Sequence, residues 1–282
     1  MQKRAFTLIE LIFVIVIMGI LSKYGIELLF QAYRNFIFSK TNNALQSQSQ
    51  IAVETIAARL MYRIKDSAIA RQPGVTYEPV ASSTLAEAAT VLEWVGYDVD
   101  GQRGDGTQTT PFWSGIIDLD LSNAAALNLP QTDTAKMGAL IGALSNGTSA
   151  YNDGAFYFIG SDSDTMDGYG WGAAIADQTR TMHPITDAAN NNIFNFAGID
   201  VYEYYQFAWS AYAVAHEGDE LALYYNYQPW HGEAYTDGTR VLLMSNVDTF
   251  RFTGVGSIIK IQVCVNTDLM EDYSLCKEKT VF

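Results

Sequence analysis

Cysteine, histidine, proline and positive charge are all scarce in this 282-residue chain, which has two Cys, three His, six Pro and 17 Lys+Arg against 31 Asp+Glu. Two cysteines exclude a disulfide-rich scaffold and a zinc centre built from four thiolates. A formal net charge of −14 argues against a nucleic-acid binder, because neutralising phosphates takes clustered Lys and Arg. His183, His216 and His231 do not form the i, i+4 pair of a zinc protease helix. They read as isolated surface side chains. No Gly-x-Ser-x-Gly elbow and no Gly-x-x-x-x-Gly-Lys phosphate loop occurs, so neither a serine hydrolase nor an assembly ATPase is indicated. A membrane-tethered enzyme would need a catalytic constellation, and the sequence offers none. Disorder is excluded by a composition that is 49% hydrophobic and only 17% charged.

The charge that is present is unevenly placed. Residues 1–71 hold nine basic and four acidic residues, a balance of +5, which leaves eight basic and 27 acidic residues beyond them, a balance of −19. A basic arm on an acidic body suggests two environments. Met1-Gln2-Lys3-Arg4-Ala5 is a short basic leader, and Phe6-Thr7-Leu8-Ile9-Glu10 opens an apolar run in which Leu11 to Leu21 carry no charge. The 25 residues from Phe6 to Phe30 would extend about 37 Å as a helix, enough to cross a bilayer. Lys3 and Arg4 place the leader on the cytoplasmic side and send the acidic body across the membrane. An ordinary signal peptide fits poorly, since the small residue Ala5 precedes the apolar stretch instead of following it.

Glu10 is the informative residue. A carboxylate at the centre of a bilayer costs roughly 2.5–3.5 kcal/mol on insertion scales, and less near the interface. Either Glu10 sits solvated at headgroup depth, or it meets a positive charge from another chain. Cleavage after Ala5 would expose an α-amino group on Phe6, four residues before Glu10, so that one subunit's carboxylate could pair with its neighbour's amine in a staggered stack.

Lys3-Arg4-Ala5-Phe6-Thr7-Leu8-Ile9-Glu10-Leu11 resembles the class III leader of type IV pilins and type II secretion pseudopilins. The resemblance implies cleavage between Ala5 and Phe6 by prepilin peptidase, N-methylation of Phe6, and a role for Glu10 in docking into a growing filament. Two departures stand out. The residue before the cut is usually Gly and here is Ala5, and the helix-kinking Pro of major pilins is missing from positions 22–35.

No Gly or Pro occurs between Ile26 and Gln72, so helix is permitted as far as the Pro73-Gly74 stop. Within it Leu45, Val53, Ile56, Leu60, Ile64 and Ala68 recur at helical spacing, with Ala57 and Met61 beside them. The pattern predicts an amphipathic helix laid on a globular domain. The expected organisation is therefore a leader over 1–5, a transmembrane helix over 6–30, an extracytoplasmic amphipathic helix over 31–72, a variable insertion over 73–200 and an antiparallel sheet over 201–282. In the insertion, Val91 to Val95 and Ala155 to Ile159 read as strands, and Thr134 to Leu144 as a short helix ended by Asn146-Gly147. Val201 to Ala215 and Leu221 to Tyr227 read as a hairpin around Glu217-Gly218-Asp219-Glu220. Val241 to Met244, Phe250 to Phe252 and Ile259 to Val263 read as further strands. The fold class is α+β, a long N-terminal helix packed on a C-terminal antiparallel sheet. The order of these elements is loosely similar to J-type pseudopilins and W-type minor pilins.

Cys264 and Cys276 either close a disulfide loop of 13 residues, permitted beyond the inner membrane, or stay as thiols with one buried in the last strand. Many pilins tie down their C-terminal segment in this way, so the resemblance implies the pair. Asp98, Asp100 and Asp105 gather oxygen ligands around Gly101, Gly104 and Gly106, either a calcium loop without the EF-hand pattern or plain solvated turns. Ser161 to Gly168 is a second such loop. No cofactor is required by the resemblance. Tyr202, Tyr204, Tyr205, Phe207, Trp209, Tyr212, Tyr224, Tyr225, Tyr227 and Trp230 are expected mainly in the sheet core, and any exposed on one face would suit a neighbouring subunit or a carbohydrate.

The resemblance thus implies a minor pilin or pseudopilin near a filament tip, in the inner membrane with its body outside. Its partners would be prepilin peptidase and other pilins, with no nucleic acid. The alternative is a tip adhesin or ligand-binding module that uses the 75–200 region.

Overall fold

The computed structural model describes residues 7–74, 76–104, 110–123, 125–176, 178–186, 188–190, 193–195, 200–266 and 274–282. It has the expected α+β class. A helix of 53 residues, Leu8–Leu60, leads into an antiparallel β body. At 1.5 Å per residue the helix is about 80 Å long. Every side chain from Leu8 to Phe36 is exposed, and burial begins in earnest at Leu45. From there Ala52, Val53, Ile56, Ala57 and Leu60 form the buried stripe, as their spacing predicts. Met61 leaves the stripe and is exposed.

The helix stops twelve residues short of the Pro73-Gly74 signal. Tertiary pairing overrides the local permission to continue. The Ile64 N–H donates to Val95 O at 2.9 Å and the Tyr97 N–H to Tyr62 O at 3.0 Å, so this backbone joins a sheet. Arg63 closes the helix end by donating from Nη1 to Leu60 O at 2.6 Å and from Nη2 to Ser257 O. A cationic donor at the last carbonyls is a favourable cap. Ile69–Gln72 is then a strand, not helix.

That strand belongs to a six-stranded sheet ordered Thr239–Met244, Glu220–Tyr227, Ser210–Glu217, Val91–Gly96, Ile69–Gln72, Thr76–Pro79. All its pairings are antiparallel. Val91–Gly96 is buried along its whole length, so part of the 73–200 region is central core and not an insertion. The hairpin turns at Gly218-Asp219, between the paired Glu217 and Glu220, with Gly218 at φ +67°. Such two-residue turns need a positive φ, which glycine adopts without penalty.

The single C-terminal sheet expected over 201–282 is divided. Tyr205–Ala208 pairs with Ala155–Phe158, which pairs in turn with Met182–Pro184, while Ser210 onward joins the central sheet. Val247–Val255, Ile258–Asn266 and Ser274–Val281 form a separate three-stranded sheet. A small four-stranded sheet completes the body, and the helix Thr134–Leu144 has its expected bounds.

Three apolar clusters follow from these layers. The long helix packs against Trp94, Val214 and Leu221 of the central sheet and against Ile259, Ile261 and Val263 of the C-terminal sheet. The opposite face of the central sheet is covered by Tyr169, Trp171 and Trp230. Phe112, Trp113, Phe156, Phe158, Phe194 and Phe207 fill a third cluster with Met137 and Ile141. Of the ten aromatic positions from Tyr202 to Trp230, six are buried, and Tyr204 is exposed.

Candidate assembly site

The helix start is where sequence and geometry meet. Thr7 is the N-cap residue in extended conformation. Its N–H donates to Glu10 Oε2 at 3.3 Å, and its hydroxyl reaches the same oxygen at 3.3 Å. Helices begin with unpaired N–H groups, and a Glu three residues on from a Thr cap satisfies one of them. The Thr-x-x-Glu spacing carries that signal in the sequence, beside the membrane cost that singles Glu10 out. Glu10 is thus an exposed carboxylate held at the positive end of a helix dipole, beside the point where the leader joins. Ala5 and Phe6 lie outside the described residues.

Behind Glu10 runs a surface with no partner in its own chain. Leu8, Ile9, Leu11, Ile12, Phe13 and the apolar residues onward to Phe30 are exposed. The helix is long and apolar enough to cross a membrane, and none of its most apolar window is buried in the body. Such a face is stable only in lipid or against other helices.

Residues 1–22 match the prokaryotic N-terminal methylation motif. No curated protein and no solved structure matches the chain significantly. The motif supports a pilin or pseudopilin subunit, and it implies processing by prepilin peptidase and assembly with other pilins. With the apolar helix, it is consistent with a single-pass membrane-anchored protein.

At the far end of the chain, Cys264 and Cys276 sit directly opposite each other on neighbouring strands and are joined as a disulfide. The bond fastens Ser274–Val281, a strand of mostly exposed polar side chains that lies along the long helix. Lys279 reaches Glu54 of that helix at 2.9 Å.

The candidate calcium residues serve local structure. Asp98 caps the short helix Val99–Arg103, its Oδ1 accepting the Gly101 N–H at 3.0 Å. Its carbonyl accepts Trp113 Nε1–H at 3.0 Å. Asp100 pairs with Arg103 at 3.8 Å on the surface, and Asp105 lies outside the described residues. Among the described residues no three Asp, Glu, His or Cys side chains come together to hold a metal.

Asp98 is buried, with Oδ2 lacking a hydrogen-bond partner, and burial pushes its carboxyl up to about 6. A carboxyl raised above its unfolded value of 3.8 favours the folded state while protonated, and that advantage fades as pH rises through 6. The difference corresponds to about 3 kcal/mol. Asp98→Asn keeps the cap and removes the ionisation. Its stability relative to wild type should therefore rise by up to about 3 kcal/mol between pH 4 and pH 7.5, read from urea midpoints. A gap independent of pH would refute this assignment.

His183 departs from the expected surface position. It is buried, lies 4.7 Å from the Phe158 ring, and burial lowers it to about 4, so it is neutral at physiological pH.

Proposed function

We propose that this chain is a minor pilin or pseudopilin, assembled through its N-terminal helix near the tip of a type IV pilus or a type II secretion pseudopilus. The leader is removed between Ala5 and Phe6, Phe6 is N-methylated, and Glu10 pairs with the Phe6 amine of a neighbouring subunit. The body then lies outside the inner membrane, where a Cys264–Cys276 bond is chemically permitted. No cofactor is needed for this role.

One observation carries the reading: a long apolar helix surface, unpartnered within the chain, begins at a single carboxylate four residues after the expected new terminus. In the membrane that surface is solvated by lipid. On extraction into a filament it must be covered by like helices, and a carboxylate entering that apolar bundle requires a cation. The Thr7 amide is a modest partner for Glu10, and a charged amine is a stronger one.

The minor role follows from bulk. The body spreads a six-stranded sheet, a C-terminal sheet and two smaller sheets around one helix. Crowding of such bodies would strain a densely repeated polymer and is relieved at an end. Quantitative immunoblotting of sheared filaments should find this chain far below the major subunit in number. Equimolar incorporation would contradict the minor role while leaving membership of the filament intact.

A further inference from the structure

One edge of the central sheet is left open. Thr239–Met244 is its outermost strand, and among the described residues no strand pairs with its outer side. We propose that this edge accepts, as a seventh strand, an extended segment of another protein that is apolar at its centre and flanked by Lys or Arg, with one apolar side chain seated in the groove beside Val241 and Leu243.

Unpaired strand edges invite pairing with other chains, and proteins blunt them with proline, charge or cover. The opposite edge of the same sheet, Thr76–Pro79, ends in proline, and its Tyr77 hydroxyl donates to Met166 O at 3.3 Å. Ser274–Val281, an edge of the C-terminal sheet, carries Lys277, Glu278 and Lys279. Thr239–Met244 lacks these devices. It runs Val241-Leu242-Leu243-Met244 without a polar residue, and Val241 is 42% and Leu242 46% exposed. Its one charge, Arg240, is already bonded to Glu217 at 3.2 Å and to Glu220 at 2.6 Å.

A groove of about 330 Å³ lies beside this edge, on the sheet face that also holds the long helix. Val241, Leu243, Leu223, Tyr225, Tyr212 and Arg59 line it. Strand register explains the lining, since Val241 lies opposite Leu223 and Tyr225 opposite Tyr212. The floor is fixed in place. Tyr212 stacks on Trp94 at 5.9 Å, and Arg59 stands over its ring at 5.6 Å. At Gly96 a Cβ would stand 2.5 Å from Tyr212 Cε2, so the ring takes this position only beside glycine. Opposed residues on paired strands point to the same face, so a residue added opposite Val241 or Leu243 projects over the groove. Main-chain hydrogen bonds hold such a strand, and the pocket selects its side chain. A helix about 10 Å across would overfill the groove and leave the backbone groups of the edge unpaired.

The charges choose the partner. Glu217, Asp219, Glu220 and Asp237 border the edge against Arg240, which favours Lys or Arg beside the incoming strand. A second copy of this chain, with −19 over residues 72–282, would bring the same carboxylates face to face. Edge and groove use neither Glu10 nor the apolar run behind it, so the proposal stands or falls apart from assembly.

The test uses the full chain in phosphatidylcholine nanodiscs, with empty nanodiscs as the blank. The probes are nine-residue peptides of alternating Val and Thr, with Lys at both ends and Phe, Tyr, Trp, Leu or Met at the centre. At least one should bind saturably by fluorescence anisotropy. On binding, the unprotected amides of residues 239–244 should exchange at least tenfold more slowly, read by hydrogen-exchange mass spectrometry. Methylating the peptide nitrogens of that probe removes its backbone donors and should weaken binding tenfold or more, as should replacing its terminal Lys by Glu. Val241→Lys, a substitution at an exposed position, puts a charge in the groove and should weaken binding tenfold or more with no change in melting temperature. If that variant fails to fold, the methylated probe decides on the wild-type chain. Failure of all five probes, full affinity for the methylated or Glu-ended probe or in a folded Val241→Lys chain, or slowed exchange elsewhere instead of at 239–244 would each overturn the proposal. Concentration-dependent dimerisation that Val241→Lys abolishes would also overturn it, by giving the edge to a second copy.

Discussion

Glu10→Leu leaves this chain in the membrane but excludes it from filaments. Leucine makes the apolar run more favourable to insert, so the amount of membrane-embedded, processed protein should be unchanged. What is lost is the carboxylate placed four residues from the new terminus, where it can neutralise a neighbour's amino group inside a helix bundle. An unpaired ammonium in such an environment costs several kcal/mol, and a penalty of that size reduces incorporation a hundredfold or more. Glu10→Gln separates two contributions. It retains an oxygen that accepts the Thr7 N–H, so the helix cap persists, yet it carries no charge for the amine. If registration depends on charge, Glu10→Gln should fail nearly as completely as Glu10→Leu. If the cap alone matters, the glutamine variant should assemble almost normally. The measurement is the ratio of this chain in sheared filaments to that in membranes, and wild-type ratios for both variants would remove Glu10 from the assembly mechanism.

Loss of the Arg71 side chain should strongly destabilise the body. Glu93 stands in the buried strand Val91–Gly96 with its side chain 1% exposed, and its charge is answered by Arg71. Tyr227 donates a second hydrogen bond to Glu93 Oε2 at 3.2 Å, while Arg71 also donates to Trp171 O at 3.2 Å and lies over the Tyr77 ring. Burial pushes the Glu93 carboxyl up, with Arg71 acting against it. Arg71→Met leaves a buried carboxylate without its cation, a change that costs roughly 3–5 kcal/mol. The sign of the pH effect follows from the raised carboxyl. Without Arg71 the folded state gains more from a proton on Glu93 than the unfolded chain does. The loss should therefore be greatest at high pH, where Glu93 is ionised, and shrink as pH falls and the carboxyl takes up its proton. Adding Glu93→Leu to Arg71→Met should restore most of the stability, since an apolar pair can replace a buried ion pair at little cost. Urea unfolding of the three variants reads this directly. A small, pH-independent effect of Arg71→Met would show that Glu93 is solvated.

Neither residue of that pair stands out in the sequence, and the reason is physical. Arg71 falls three residues past Ala68 in a stretch where helix is locally permitted, and Glu93 interrupts a strand whose apolar neighbours hide it. Their pairing depends on Ile69–Gln72 lying beside Val91–Gly96, which is set by long-range backbone bonds such as Ile64 N–H to Val95 O. The same bonds explain why the helix ends at Leu60 when local signals allow twelve residues more. Features fixed by local chemistry were legible. The stripe from Leu45 to Leu60, the Thr134–Leu144 helix and the Gly218-Asp219 hairpin each follow from spacing, capping or turn chemistry within a few residues.

Sheet membership was not legible, because strands of three sheets follow one another along residues 201–282 and only pairing tells them apart. The break at Trp209, where Tyr205–Ala208 and Ser210–Glu217 enter different sheets, leaves no mark in a continuous aromatic run. Ser274–Val281 was invisible as a strand, since its Lys and Glu side chains face outward and its hold on the body comes from Cys276 and from Ile258–Asn266. At the amino terminus the balance is reversed. There the functional signal is a contiguous string of residues, read without any knowledge of the fold.

The central claim is that trimming creates the amine that Glu10 neutralises. Intact-mass and N-terminal peptide mass spectrometry of the protein recovered from filaments tests it most directly. The account predicts a terminus at Phe6 carrying one added methyl group. Recovery of filament material that still carries Met1 to Ala5 would contradict it.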